Sequence, residues 1–202
     1  MGGLRELKPP LSLRDVEELE AGEVVELTGR MIVARDRAHA RLLELSRRGE
    51  PPPVELRGAV VFHGGPVALR RGGVWSVVSM GPTTSARFEE LAVEVCRRLE
   101  VRALVGKGGL SPSWSKALRE AGAVYLAYPG GAGVLAARSV VRVEGVHWLD
   151  LGVPEALWVL EVRKLSPLLV AVDLKGRDLY EEVAASARRA LRELRAERSL
   201  KP

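Results

Sequence analysis

The chain has 202 residues, of which 47% are hydrophobic and 28% are charged, and its formal net charge at pH 7 is +5. These ordinary values favour one folded domain over residues 1–202 and exclude the disordered and membrane-embedded classes. Much of the charge surplus lies in a C-terminal stretch of alternating sign, and aromatic residues make up only 4% of the chain, so we expect no nucleic-acid partner.

The first part of the chain predicts alternating helices and strands. Ser12, with Asp15 three residues later, predicts a short helix opened by a variant of the capping box. The run of prolines at residues 51–53 predicts a stiff linker. The other elements predicted here are an extended strand over Val24–Ala34, a helix capped by Asp36 that runs through Ser46, and strands at residues 59–62 and 75–80.

The middle of the chain predicts parallel strands. A helix over residues 85–99 is followed by short buried strands at residues 103–105 and 123–125, with a helix near residues 113–121 between them. Strands that alternate with helices pair in parallel. The first of these helices carries an apolar stripe that should face a core, made of Phe88, Leu91, Ala92, Val95 and Leu99.

The last third predicts strands joined by turns, which would be partly antiparallel or form a second sheet. These strands are residues 140–146, 157–162 and 168–172. Asp178 is expected to cap a long helix, whose apolar face would consist of Val183, Ala187, Ala190, Leu191 and Leu194. The predicted fold class is α/β, with a mostly parallel central sheet and a smaller second sheet.

Three cationic or hydroxyl-bearing turns, residues 34–36, 81–87 and 106–109, follow predicted strands, where open α/β sheets bind ligands. Arg35, Arg87 and Lys107 lie in these turns, and their guanidinium and ammonium groups could bind two carboxylates at once. With the hydroxyl of Thr83, they predict a pocket for a small dicarboxylate.

Two of these turns also allow simpler interpretations. Arg87 is expected in the first turn of a helix, where the dipole favours anions, so it needs either a ligand carboxylate or a neighbour such as Glu90 or Glu94. Thr83 and Thr84 are either functional groups or ordinary turn and helix-capping residues.

The histidines and the single cysteine predict no metal site in this chain alone. His39 lies one turn into the first long helix and either orients a carboxylate, donates a proton or lies on the helix surface. His63 and His147 are isolated near strand ends and lack metal-ligand spacing. Cys96 is expected in the core, and because it is alone it excludes a disulfide or an all-cysteine iron–sulfur site within the chain.

Residues 131–136 provide a rival hypothesis, because they match a dinucleotide-binding fingerprint of the form GxGxxA and Asp150 lies at a suitable distance. Against it, the next strand is expected near Val140, which leaves little chain for a pyrophosphate-binding helix. A stand-alone α/β ligand- or nucleotide-binding module is therefore the alternative of a different class.

Location and habitat are predicted from what the chain lacks. No apolar run approaches the ~18 residues of a membrane-spanning helix, and residues 1–10 lack the apolar core of a signal peptide, so we expect a cytoplasmic protein. The chain has no asparagine or glutamine, and 25 arginines against 6 lysines. This composition is typical either of a thermophile or of a genome with biased nucleotide content.

Four motifs, in order, give the chain a specific resemblance to one family. They are Gly29 followed by residues 34–39 (ARDRAH), residues 81–87 (GPTTSAR), residues 106–109 (GKGG), and residues 155–162 (EALWVLEV) followed by Val172, Asp173 and residues 176–180 (GRDLY). Over almost its whole length the chain resembles the β subunit, or C-terminal domain, of iron–sulfur class I fumarases and the related L-tartrate dehydratases. It departs from them at residues 61–66 (VFHGGP), where relatives usually carry a tyrosine-rich strand before Gly-Pro.

The resemblance implies a swivelling β/β/α three-layer domain and a hetero-oligomer such as α2β2, whose partner α subunit holds a 4Fe-4S cluster through three cysteines. It implies hydration of fumarate to L-malate, with L-tartrate dehydration as the alternative, and no activity for this chain alone. Thr83 would take the C3 proton of malate, with His39 as the weaker alternative. The substrate would be bound by Arg35, Arg87 and Lys107 through its carboxylates, and by His39 and Thr84.

Overall fold

The structure is a computed structural model that describes residues 4–199, with side chains described to residue 195. The termini of the single domain predicted over residues 1–202 therefore lie outside the described residues. The strands are β1 (Arg5–Leu7), β2 (Val24–Ala34), β3 (Val60–His63), β4 (Val67–Arg71), β5 (Val74–Ser79), β6 (Ala103–Gly106), β7 (Val124–Ala127), β8 (Val140–His147) and β9 (Leu157–Val172). The helices are α1 (Leu13–Glu17), α2 (Asp36–Arg47), α3 (Glu89–Leu99), α4 (Pro112–Glu120), α5 (Gly133–Arg138) and α6 (Leu179–Ser199).

Seven strands form the main sheet in the order β1-β2-β3-β6-β7-β9-β8, and β9 also pairs with β2. Because of that extra pairing, β2, β3, β6, β7 and β9 close into a ring. The pairs from β1 through β7 are parallel, whereas β9 runs antiparallel to β2, β7 and β8. A second sheet consists of β4 and β5. The prediction of a mixed α/β fold with a mostly parallel main sheet and a small second sheet is confirmed.

Two apolar clusters lie on the two faces of the ring. Successive residues of a strand face opposite sides, so Phe62 and Val105 belong to the inner cluster, while Val61 and Leu104 belong to the outer one. The outer cluster packs against α2, α3 and α4 and includes the predicted stripe of α3. The closed ring therefore holds the carboxyl ends of its parallel strands in fixed relative positions.

The strand β9 was predicted as two strands, at residues 157–162 and 168–172, and this division is wrong. The chain continues through residues 163–167, where Leu165 is buried and pairs with Leu27 of β2. The strand predicted at residues 75–80 lies in the small second sheet, where Trp75 contacts Trp158 edge to face with ring centroids 5.2 Å apart.

Three predicted helix starts differ in outcome. The capping box of Ser12 and Asp15 is confirmed. The helix predicted from Ser85 begins instead at Glu89, because residues 85–87 form a separate 3₁₀ turn and Phe88 departs from helical geometry, with φ −144° and ψ 32°. Asp36 is the first residue of α2 and does not cap it, so that prediction is wrong.

The helix α6 is capped by Asp178 as predicted, but its apolar face does not lie in the core. Val183 is 68% exposed, Leu191 48% and Leu194 57%. The first turn is the part that packs, with Tyr180 against Gly109. An apolar stripe predicts a buried face only where another element covers it.

Asp178 should contribute measurably to stability. Its carboxylate is 4% exposed and accepts the hydroxyl of Ser115 at 2.6 Å and the backbone N–H of Tyr180 at 2.9 Å. The Asp178→Ala variant should lose about 2 kcal/mol of unfolding free energy in urea, because the cap and a buried hydroxyl lose their partner. The Asp178→Asn variant keeps an acceptor and should lose less than half of that; equal losses would contradict a capping role.

Candidate functional site

The predicted turns meet at one edge of the sheet. β2, β3 and β6 are neighbouring parallel strands, with Ala34 paired to His63 and Phe62 to Val105. Arg35 and Lys107 directly follow the first and third of these strands. Neighbouring strands lie about 4.8 Å apart, so the two backbones are separated by roughly 10 Å, which long side chains can bridge.

The turn at residues 81–87 lies between those strand ends. The N–H of Thr83 donates to the carbonyl of His63 at 2.6 Å, and the N–H of Lys107 donates to the carbonyl of Thr83 at 3.3 Å. The N–H of Ser85 returns to the carbonyl of Lys107 at 3.2 Å. Two isolated β-bridges, Pro82 with Gly64 and Thr84 with Lys107, thus hold this part of the turn and make Thr83 and Lys107 backbone neighbours.

Thr83, Thr84 and Lys107 keep their polar side-chain atoms free. All three residues are partly exposed, and within residues 4–195 none of these side chains has a hydrogen bond or an ion pair. Thr84 occupies the N-cap position of the 3₁₀ turn, as one interpretation expected, but its hydroxyl makes no capping hydrogen bond. A hydroxyl and an ammonium at one strand end are available to a ligand.

Asp36 joins the two arginines of the site. Its carboxylate oxygens lie 3.7 Å from Nε of Arg35 and 3.4 Å from Nη2 of Arg87. The expectation that Arg87 pairs with Glu90 or Glu94 is wrong, because the 3₁₀ turn separates it from α3. With its side chain 57% exposed and a single long ion pair, Arg87 can exchange partners at little cost.

Glu155 also lies in the site. The sequence predicted no role for it, although it belongs to one of the family motifs. One carboxylate oxygen lies 3.3 Å from Nη2 of Arg35, and the other accepts the N–H of Arg37 at 3.3 Å. Glu155 therefore orients Arg35 and satisfies a free amide at the start of α2, which has no side-chain cap of its own.

His39 is fully buried, so the expectation of a helix-surface histidine is wrong. Its Nδ1 lies 2.8 Å from the carbonyl of Arg35, and because a carbonyl only accepts, Nδ1 carries the proton. Burial lowers the pKa of His39 to about 4, which keeps the ring neutral near pH 7. The structure places His39 beneath Arg35.

A buried hydrogen-bond chain behind residues 83–85 was missed by sequence reasoning. Nδ1 of His63 lies 2.8 Å from Oγ of Ser85, which in turn lies 2.9 Å from the hydroxyl of Tyr125. Burial lowers the pKa of His63 and raises the pKa of Tyr125, so both are neutral. The three residues lie 22 and 40 positions apart, and the sequence carries no signal for such contacts.

The dinucleotide-binding fingerprint forms a different structure. A Cβ on Gly133 would lie 2.5 Å from Oγ of Ser79, so this glycine serves packing on β5. The helix α5 that it opens has six residues, and Asp150 is paired with Arg41 at 2.7 Å. The strand that follows, β8, is antiparallel to its neighbour, unlike the parallel strand of a dinucleotide-binding unit.

Comparison with known proteins agrees with the motifs at this edge. A family model described as Fumarase C-terminus matches residues 5–183. The chain belongs to this Fumarase C-terminus family. Its sequence is 42% identical over 185 residues to a Methanocaldococcus jannaschii protein provisionally named L(+)-tartrate dehydratase subunit beta, covering 91% of this chain and 95% of that protein.

Two further relatives carry related names. L(+)-tartrate dehydratase subunit beta of Escherichia coli strain K12 is 40% identical over 176 residues, covering 87% of this chain and 86% of that protein. A Geobacillus stearothermophilus protein provisionally named fumarate hydratase class I is 36% identical over 182 residues, covering 90% of this chain but 34% of that longer protein.

The described residues contain neither a cluster of metal ligands nor a membrane-spanning helix. Residues 4–195 contain no group of three or more His, Cys, Asp or Glu side chains placed to hold a metal ion. Cys96 is buried, and burial raises the pKa of its thiol. None of the helices within residues 4–199 combines the length and apolarity needed to cross a bilayer.

Acid should destabilise the folded chain through His39. The unfolded histidine has a pKa near 6.5 and the folded one about 4, so between these values only the unfolded state binds a proton. His39 should therefore lower the free energy of unfolding by about 1.4 kcal/mol for each pH unit as pH decreases through this window, and His63, whose pKa is also lowered by burial, should add to this fall.

Urea unfolding across that pH range checks this expectation. A His39→Leu variant should have a shallower pH dependence than the wild type, whatever its stability at neutral pH. The matched control is His147→Leu, which removes a partly exposed histidine at the end of β8 and leaves His39 in place. An unchanged slope in His39→Leu would contradict a buried, neutral His39.

Proposed function

We propose that this chain is the β subunit of an iron–sulfur hydro-lyase that converts fumarate and water to L-malate reversibly. The observation that carries the proposal is the backbone bond between Thr83 and Lys107, because it places a hydroxyl and an ammonium that lack partners among the described residues at the same sheet edge as the Arg35–Asp36–Arg87 group. These are the groups that a dicarboxylate undergoing proton transfer requires.

The cations have separate roles in this proposal. Arg35 and Arg87 bind one carboxylate of the substrate, and Asp36 gives up Arg87 when the substrate arrives. Lys107 binds near the other carboxylate and stabilises Thr83 as an alkoxide, which takes the C3 proton of malate while the C2 hydroxyl leaves. Thr83 then releases this proton to solvent water, which restores the alkoxide. Thr84 adds a hydroxyl at the same edge. An acid from the partner protonates the departing hydroxyl.

His39 was predicted to bind substrate, and we propose instead that it acts on Arg35. A buried imidazole whose proton is donated to the Arg35 carbonyl cannot reach a ligand without a rearrangement of α2. Its role would be to fix the direction in which Arg35 leaves β2.

The cluster belongs, in this proposal, to a partner α subunit. The donors of this chain do not fit a 4Fe-4S cluster, since Cys96 is its single cysteine and is buried. The cluster in the partner would supply a Lewis acid for the substrate hydroxyl and carboxylate. The names "subunit beta" of two relatives support a separate partner chain, as in an α2β2 hetero-oligomer.

We further propose that residues 1–202 form one swivelling β/β/α domain of three layers. The helices packed on the outer face of the ring support this arrangement, as does the hairpin of β4 and β5 beside the ring. Swivelling would let the edge that carries Thr83 approach the partner.

L-Tartrate dehydration is the second candidate. Two relatives named for tartrate are covered by this chain over 95% and 86% of their length. The relative named for fumarate is covered over 34% of its length. Both substrates are four-carbon dicarboxylates, so the same cations serve either one.

The test is to co-express this chain with its genomic partner, purify the complex anaerobically and assay malate–fumarate interconversion beside L-tartrate dehydration. We expect activity from the complex and none from the chain alone. Tartrate turnover without malate turnover would move the assignment to the second candidate. A complex that holds an intact cluster and turns over neither substrate would refute the proposal.

Lys107 should affect substrate binding strongly. The Lys107→Met variant keeps the length of the side chain but loses its charge, so KM should rise about 10- to 100-fold and kcat should also fall. The control is Lys116→Met, because Lys116 is exposed on α4 and, among the described residues, pairs only with Glu120 at 3.8 Å. Steady-state kinetics of the two variant complexes measure this difference. Similar KM values for Lys107→Met and Lys116→Met would exclude Lys107 from the site.

A further inference from the structure

We propose that His63 is a positioning residue that clamps residues 83–85 against Lys107 through both its backbone and its ring. This inference rests on the proposed function only for its effect on turnover. The clamp itself follows from four contacts of buried or partly buried groups.

The backbone forms one side of the clamp. The carbonyl of His63 accepts the N–H of Thr83, and Gly64 and Pro82 form the adjoining bridge. The ring forms the other side, two residues further along, where Nδ1 contacts Oγ of Ser85 at 2.8 Å. His63 thus holds the two residues that flank Thr84, which are Thr83 and Ser85. Lys107, at the end of β6, bonds to the backbones of the same two residues.

The hydrogen bonds of the buried chain have a definite direction. His39 donates from Nδ1 to a carbonyl, so its Nε2 carries a lone pair, and this atom is buried with no partner among the described residues. Nε2 of His63 is also buried without a partner, and the two rings meet edge to face with centroids 5.2 Å apart. If both Nε2 atoms carried lone pairs, the two neighbouring rings would bury two acceptors without a donor, whereas a proton on Nε2 of His63 adds a donor to the pair.

The favourable tautomer of His63 therefore carries its proton on Nε2. Its Nδ1 then accepts the hydroxyl proton of Ser85, and the hydroxyl of Tyr125 donates to Ser85. The chain runs from Tyr125 through Ser85 to His63, so each hydroxyl donates to the next member, while Nε2 of His63 has no hydrogen-bond partner among the described residues. Because Ser85 is 0% exposed, this chain acts through the backbone and does not touch a ligand.

Two substitutions of equal size separate the hydrogen bond from the packing. His63→Asn keeps an acceptor near the position of Nδ1, whereas His63→Leu fills the same space without one. In the purified complex, His63→Leu should lower kcat about 10- to 100-fold with a smaller change in KM, because a displaced Thr83 hydroxyl is misaligned for proton transfer. His63→Asn should recover most of that loss, and His147→Leu should behave as wild type.

Two measurements on the full chain test the clamp without turnover. Nitrogen NMR of histidine-labelled protein should find His63 protonated on Nε2 and not on Nδ1. Hydrogen exchange at the Thr83 and Ser85 amides should accelerate in His63→Leu and less in His63→Asn. Protonation on Nδ1, or equal effects of the two variants on kcat and exchange, would overturn the proposal. A wild-type complex inactive on malate and tartrate would refute the proposed function, and the exchange rates would still decide the clamp.

Discussion

The Thr83→Val variant of the complex is expected to lose about 100- to 1,000-fold in kcat for malate dehydration, while KM changes by less than about threefold. Valine has the shape of threonine without its hydroxyl. The backbone bonds of Thr83 to His63 and Lys107 are unaffected by this exchange, so the segment should keep its place. The loss would then measure the hydroxyl alone.

The Thr83→Ser variant is the matched control, because serine keeps the hydroxyl and loses only a methyl group. It should retain activity within about tenfold of wild type, since a serine hydroxyl can reach the same position. Cluster content and thermal unfolding of each complex must match the wild type for the comparison to hold. Normal turnover by Thr83→Val would exclude Thr83 as the proton acceptor.

In the proposed site, the carboxylate of Asp36 allows two cations to lie close together before substrate binds. Two guanidinium groups at one edge repel each other, and the carboxylate between them offsets that repulsion. Arg35 is also held by Glu155, whereas Arg87 has Asp36 alone within the described residues. A substrate carboxylate would therefore recruit Arg87 more readily than Arg35, which makes Arg35 the fixed member of the pair.

Local sequence signals predicted the elements that depend on local chemistry. The strand Val24–Ala34 was predicted with the bounds that it has, because its apolar run is long and ends at charged residues. The caps at Ser12 and Asp178 were also predicted, since capping requires only residues within a few positions. The turns of the site were found for the same reason, because each follows a strand that was predicted from its own residues.

Contacts between distant residues were the ones that sequence could not predict. The union of two predicted strands into β9 depends on its pairing with β2, more than a hundred residues earlier in the chain. The pairing of Arg87 with Asp36 spans 51 positions and follows from the 3₁₀ turn that replaces the first turn of α3. His63 was predicted to be an isolated histidine, because no sequence pattern indicates that it contacts Ser85 or that Ser85 contacts Tyr125.

The Gly106→Ala variant is expected to lose about 3 kcal/mol of unfolding free energy, a large effect for one added methyl group. A Cβ at this position would lie 2.0 Å from Oγ of Ser85 and 2.8 Å from the hydroxyl of Tyr125. Both atoms belong to the buried hydrogen-bond chain, so neither can move without breaking it. Urea unfolding of the full chain measures the loss.

Two further variants locate the cause of that loss. Gly130→Ala is the control in the same region, because its Cβ would meet only Cδ of Lys107 at an ordinary 3.6 Å, and it should cost less than about 1 kcal/mol. Adding Ser85→Ala to Gly106→Ala removes the closest clash and should restore part of the stability, a coupling that independent sites would not have. Equal stabilities of the two glycine variants would mean that Ser85 does not pack against the end of β6. Gly106 is thus required by its contact with Ser85. Because it has no side chain, it leaves room for the Ser85 hydroxyl, which we propose helps to position Thr83.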